Sequence, residues 1–250
     1  MPRATGASRR KGHISIEGAY TGPKATGASR AKKRYYRRRR GLQNLSLQVL
    51  PIVQFKKMRY ADTATLSINN AFTAQKKYSL NGLYDPDITG GGHQPLGFDQ
   101  MMALYNKYCV LGAKISIRMR AGSTANTYPM NLIGEKSLLS SLQYSSGSQP
   151  LEKPTCKLIT QNTSASNVYN PEKNMKFWFS AKKQFRAKNR RDLTSVDHYN
   201  GDSSSNPDQQ VFFYLTYQAQ NLQQTTATLY IDVVLEYIAA FHDRKQLAQS

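Results

Sequence analysis

The chain has 250 residues, with 35 Lys and Arg against 15 Asp and Glu, for a net charge of +20. Thirteen basic residues against one acid, Glu17, give the first forty positions +12, and the remaining residues hold +8. No apolar run approaches the roughly 18 residues that span a bilayer, the amino terminus has charge without the apolar stretch of a secretory signal, and two cysteines, Cys109 and Cys156, make neither a disulfide framework nor a zinc set.

Residues 1–44 are rich in Gly, Ser, Ala and Arg and read as a disordered basic arm. The string ATGASR occurs twice, at Ala4–Arg9 and Ala25–Arg30, each time leading into more basic residues. The first copy ends on Arg9 and leads into Arg10 and Lys11. The second ends on Arg30 and leads into Lys32, Lys33, Arg34, Tyr35, Tyr36, Arg37, Arg38, Arg39 and Arg40. Such an asymmetric arm points to nucleic acid, with an anionic membrane surface the weaker choice. Phosphate contacts need Lys and Arg but no base reading, so a disordered segment suffices. Tyr35 and Tyr36 are either stacking platforms for unpaired bases or solvated spacers. The same run also fits a nuclear import signal. Its Arg-rich composition resembles an organelle transit peptide, but glycines break it and no amphipathic period runs through it.

From Leu45 onward the hydrophobic period is two, which predicts strands. KISIRMR (Lys114–Arg120), MKFWFSA (Met175–Ala181), VFFYLTYQA (Val211–Ala219) and TLYIDVVLEYI (Thr228–Ile238) alternate most clearly. Weaker strands are expected at Ile52–Tyr60, Thr63–Asn69, Lys76–Leu80, Pro129–Gly134 and Lys157–Gln161. GFDQMMALYNKY (Gly97–Tyr108) carries Phe98, Met101, Met102 and Tyr105 at helical spacing and predicts a helix. QFRAKNRRD (Gln184–Asp192) adds a turn. Eight or nine strands in about 206 residues suit one sandwich or barrel, and a jelly roll is one such solution.

Asn81 to Gln100 reads NGLYDPDITGGGHQPLGFDQ, a series of turn formers. The Gly triplet lacks the Lys-Ser/Thr of a phosphate-binding loop. Asp85, Asp87, His93 and Asp99 are either plain turn chemistry or, less favoured, ligands for an ion such as calcium. Six of the ten residues from Lys182 to Arg191 are basic: Lys182, Lys183, Arg186, Lys188, Arg190 and Arg191. Trp178 precedes them and points away from Met175, Phe177 and Phe179. This cluster reads first as a contact between subunits, second as a nucleic-acid contact with Trp178 as stacking platform, third as a solvated face.

The string NGLYDPDITGGGHQPLGFDQMMALYNKYCVLGAKISIRM, the Arg-rich arm and the closing VVLEYIAAFHDRK together resemble the capsid proteins of small circular single-stranded DNA viruses, the circovirus-like group. The resemblance is strongest from Leu80 to Met119 and rests on composition alone in the arm. It implies an all-β fold: a single jelly roll of eight strands, B to I, in two four-stranded antiparallel sheets spanning residues 45–250. It also implies a virion protein that assembles with itself into a small icosahedral (T=1) shell around single-stranded DNA. The basic run then serves import into the host nucleus, and no residue pattern calls for a cofactor or, on the favoured reading, a metal. In the jelly-roll order B-I-D-G, TLYIDVVLEYI and GAKISIRMR are neighbours. Asp232 and Glu236 would then meet Lys114, Arg118 or Arg120, with Lys56, Lys57 and Arg59 of strand B on the other side.

Two other classes share some of these features. A non-capsid nucleic-acid-binding protein with a β-sandwich would carry a similar arm without closing into a shell. An enzyme is the least favoured: His13, His93, His198 and His242 have no close His partner and no local nucleophile motif. Asp232 and Glu236, four residues apart on a strand, would lie roughly 13 Å apart, too far for a carboxylate pair of the glycosidase kind.

Overall fold

Alternating side chains build nine strands in a computed structural model that describes residues 50–69, 73–121, 130–142, 144, 149–161, 173–219 and 226–246. The basic arm, including Arg9–Lys11 and Arg30–Arg40, lies outside the described residues. The strands are β1 (Val53–Asn69), β2 (Thr73–Ser79), β3 (Tyr105–Ala121), β4 (Met130–Ser137), β5 (Cys156–Gln161), β6 (Lys173–Ser180), the two-residue β7 (Asn200–Gly201), β8 (Phe212–Ala219) and β9 (Thr226–Arg244). Among the described residues four short α-helices join them, α1 (Phe98–Met102), α2 (Gln149–Glu152), α3 (Ala181–Gln184) and α4 (Arg190–Ser195), with one 3-10 turn at Asp197–Tyr199. No helix among the described residues is long and apolar enough to cross a membrane.

The strands pair antiparallel in two sheets, β1-β9-β3-β6 with β7 beside β3, and β2-β8-β4-β5. Lettered B to I in chain order, the eight long strands run B-I-D-G and C-H-E-F, which is the eight-stranded single jelly roll. Between the sheets, β9 contributes Leu229, Ile231, Val233, Leu235 and Tyr237, all nearly inaccessible, against Phe213, Leu215 and Tyr217 of β8.

Three local expectations are corrected. The two strands expected at Ile52–Tyr60 and Thr63–Asn69 are one, because Ala61 and Asp62 stay in register with Val234 and Val233 of β9. Asp62 does not break the strand. Its carboxylate faces inward and accepts from Lys76 Nζ at 2.7 Å and Tyr78 Oη at 2.9 Å. The helix expected over Gly97–Tyr108 is a single turn, α1, since β9 runs on to Arg244 and draws Tyr105 into the ladder opposite it. The turn expected in 184–192 becomes α4, whose first turn is closed by the Asn189 backbone N–H donating to Asp192 Oδ2 at 2.9 Å.

The sheets are joined by polar bonds at both open edges. On one side Lys76 of β2 reaches Asp62 at 2.7 Å and the buried Asp87 at 2.9 Å. Burial opposes the Lys76 charge, but its hydrogen bonds to the two aspartates outweigh that and hold the ammonium above its usual value. On the other side Lys157 of β5 donates to the Lys176 carbonyl of β6 at 2.7 Å, and Lys173 donates to the Thr160 carbonyl. Tyr237 Oη crosses between the sheets to the Ser79 carbonyl at 2.7 Å.

Candidate interaction surface

The loop from Asn81 to Gln100 closes one end of the sandwich by turn chemistry. Gly90, Gly91 and Gly97 have φ of 113°, 80° and 87°, values that favour glycine. Leu83 and Phe98 are buried, and the Leu83 backbone N–H donates to Tyr108 Oη at 3.0 Å. Asn81 bonds the backbone at both 209 and 211. Of the carboxylates weighed as ion ligands, Asp87 has protein partners in Lys76 and Thr89. Asp85 is held above the usual carboxylate range by burial and by the charge of Asp87. Among the described residues no three His, Cys, Asp or Glu side chains group as metal ligands.

Three further titratable side chains have partners. Asp197 pairs with Lys107 at 2.7 Å, His198 lies 3.3 Å from Asp208, and His242 lies 3.2 Å from the Asn200 amide oxygen. Both cysteines are free thiols. Burial pushes Cys109 up to about 12, and burial together with Glu135 pushes Cys156 up to about 11.

The outer face of the β1-β9-β3-β6 sheet carries the exposed chemistry. Four residues form one row across its four strands: Arg59 faces Glu236, Glu236 faces Lys114, and Lys114 faces Trp178. Lys114 Nζ lies 2.9 Å from Glu236 Oε2 and 5.4 Å from the Trp178 ring centre. The hydrogen bond and charge of Lys114 hold Glu236 below the usual carboxylate range, with Arg59 and Lys57 adding to the effect. Two rows further along, Asp232 sits opposite Arg118 and accepts from Thr63 Oγ1 at 3.2 Å. Strands D and I are therefore adjacent, both acids lie off the core face, and Glu236 meets a lysine as expected. Lys56 does not join them, because it has the parity of the inward-facing Met58 and Tyr60.

Beside this row is a groove of about 420 Å³, lined by Lys57, Arg59, Gly112, Lys114, Trp178, Glu236 and Ile238. Trp178 is 74% exposed and Ile238 48%. Trp178 points outward, as the alternation of Met175 to Ala181 predicts. None of the six basic residues after it lines this groove. Lys182 and Lys183 are exposed on α3, Arg186 and Lys188 lie in the following turn, and Arg190 and Arg191 are exposed on α4. Arg190 instead sits 5.8 Å over the ring of Phe55, which is 50% exposed. Ile238 beside Trp178, and Phe55 under Arg190 farther along the same face, are absent from the sequence reading. The available signal is that Phe55, Lys57 and Arg59 share one parity on β1.

No protein-family model matches the chain, and no curated protein sequence matches it. Solved structures resemble it distantly. A cryo-EM structure of Mud crab tombus-like virus is 14% identical, with 84% of this chain and 100% of that chain covered and a TM-score of 0.44. Desmodium yellow mottle tymovirus is 15% identical, with 83% and 100% covered and a TM-score of 0.37. Cocksfoot mottle virus is 6% identical, with 77% and 97% covered and a TM-score of 0.44. The jelly-roll assignment stands on the chain's own strand order.

Proposed function

We propose that this chain is a viral capsid protein of the circovirus-like kind, with a structural, non-enzymatic role. Residues 45–250 form the shell domain and residues 1–44 the arm that packages a single-stranded DNA genome. The observation that carries this reading is the combination of the B-I-D-G and C-H-E-F strand order with a +12 amino-terminal segment. A jelly roll supplies a rigid wall that repeats by symmetry, and a phosphate-binding segment supplies the charge for its contents. The likeness of Leu80–Met119 to circovirus-like capsids supports the same reading. About sixty copies in a T=1 shell would bring roughly 700 positive charges against one per nucleotide. Arg30–Arg40 doubles as an import signal for a protein that assembles in the host nucleus.

The test is to purify the full chain, treat it with nuclease, and look for closed particles with protected nucleic acid. Sensitivity of the released strand to DNase but not RNase identifies DNA. Deleting Arg30–Arg40 should leave the jelly roll folded and abolish packaging. Normal DNA content in that deletion would overturn the arm's role. A monomer that binds nucleic acid without closing would favour the non-capsid binding protein.

A further inference from the structure

We infer that the groove on the outer face of the β1-β9-β3-β6 sheet is a second, folded binding site for single-stranded nucleic acid, with Trp178 as a base-stacking platform. This rests on the packaging reading and adds to it a site outside the basic arm, on a face that would then line the shell's cavity. The groove's lining holds three cations, Lys57, Arg59 and Lys114, against one acid, Glu236, which is already held by Lys114. Its occupant must therefore bring anionic groups. It must also bring flat apolar faces, because Trp178 and Ile238 stand open beside those cations. An unpaired polynucleotide supplies both in alternation, and aromatic platforms among cations are how sequence-tolerant single-strand sites are built.

A second aromatic extends the track. Phe55, with Arg190 over its ring, shares the outward parity of Lys57 and Arg59 on β1. It lies four residues and three strand spacings from Trp178, a diagonal of about 20 Å. That is long enough for several nucleotides of an extended strand. The 197–208 loop of another copy of this chain suits the groove less well. The acids of its 197–208 loop are already engaged, Asp197 by Lys107, Asp208 by His198, and Asp202 by the Ser204 backbone N–H and hydroxyl.

Trp178 is the only tryptophan in the chain, so its fluorescence reports this groove alone. The full chain is titrated with fluorescein-labelled oligo(dT) and with a blunt duplex of the same length. Label anisotropy follows binding by any part of the chain, while Trp178 emission follows the groove. Oligo(dT) should quench Trp178 and the duplex should not. At salt high enough to screen phosphate contacts, Trp178→Ala should weaken the remaining single-strand affinity about tenfold, and Trp178→Phe should restore most of it. Lys57→Glu with Arg59→Glu should remove the quench while anisotropy still rises through the basic arm. A rise in anisotropy with no change in Trp178 emission would overturn the groove and leave the packaging reading standing. No anisotropy change at all would overturn both. A blue shift that follows protein concentration without any oligonucleotide would overturn it in favour of a contact between subunits.

Discussion

Lys76 and Lys114 each hold a carboxylate across a strand boundary, at 2.7 and 2.9 Å, yet they serve different ends. Lys76 points between the sheets, where Asp87 is nearly inaccessible and water cannot replace the lysine. Lys114 points outward to a half-exposed Glu236 and also lies against the Trp178 ring. The same pair of residue types thus ties two layers together in one place and shapes a recognition surface in the other. Burial makes the difference, because removing one partner of a buried pair leaves a charge that solvent cannot repay, whereas an exposed pair is readily replaced by water.

The largest effect expected from this contrast is at the inner pair. Lys76→Ala strands two aspartates at the sheet edge and should cost about 3 kcal/mol in urea unfolding. The Lys76 ammonium is held above its usual value. Its contribution is therefore complete below about pH 10.5 and is lost as pH rises through the raised folded value. The stability gap between native protein and variant should stay constant through neutral pH and close in that alkaline range. A gap that closes near pH 7 would mean that the pair is not what separates the two proteins.

A neutral substitution in the same inner space asks whether charge or packing dominates there. A side chain at Gly134 would meet Met175 Sδ at 2.5 Å and Phe213 Cζ at 2.8 Å. Gly134→Ala should cost about 1–3 kcal/mol by overpacking, read by thermal unfolding of the purified domain within the full chain. No loss of stability would show that the sheets can part locally, and would weaken the claim that the interior is where changes are felt.

The smallest stability effect is expected on the outer face. Glu236→Gln should change unfolding free energy by no more than about 0.5 kcal/mol. Because Lys114 holds Glu236 below the usual carboxylate range, its small contribution is present above about pH 4.3 and fades as pH falls through the lowered value. The variant should nonetheless bind oligo(dT) more tightly, since it removes the groove's only acid. A large loss of stability in Glu236→Gln would erase the distinction between the two lysines.

Much of the fold was legible because it is written in local alternation. The faces of β6, β8 and β9 follow from their own residues, as does the outward direction of Trp178. The length of β1 was not legible, since an aspartate in mid-strand looks like a break until Lys76 and Tyr78 are seen to satisfy it. The helix at Gly97–Tyr108 failed for a related reason. Met101, Met102 and Tyr105 have helical spacing, but the partner strand β9 extends far enough to claim Tyr105.

The sequence by itself determined the concentration of charge in the first forty residues, the period of two, and which side chains of most strands face inward. These are properties of composition and of a backbone whose successive residues point to opposite sides. Strand neighbours needed more: the adjacency of D and I came from the resemblance, not from periodicity. The tertiary structure alone decided that Arg59, Glu236, Lys114 and Trp178 form one row and that Phe55 carries Arg190. Glu236 and Lys114 are 122 residues apart in the chain, so their meeting depends on register between distant strands. A register change of one residue would send every one of these side chains to the opposite face.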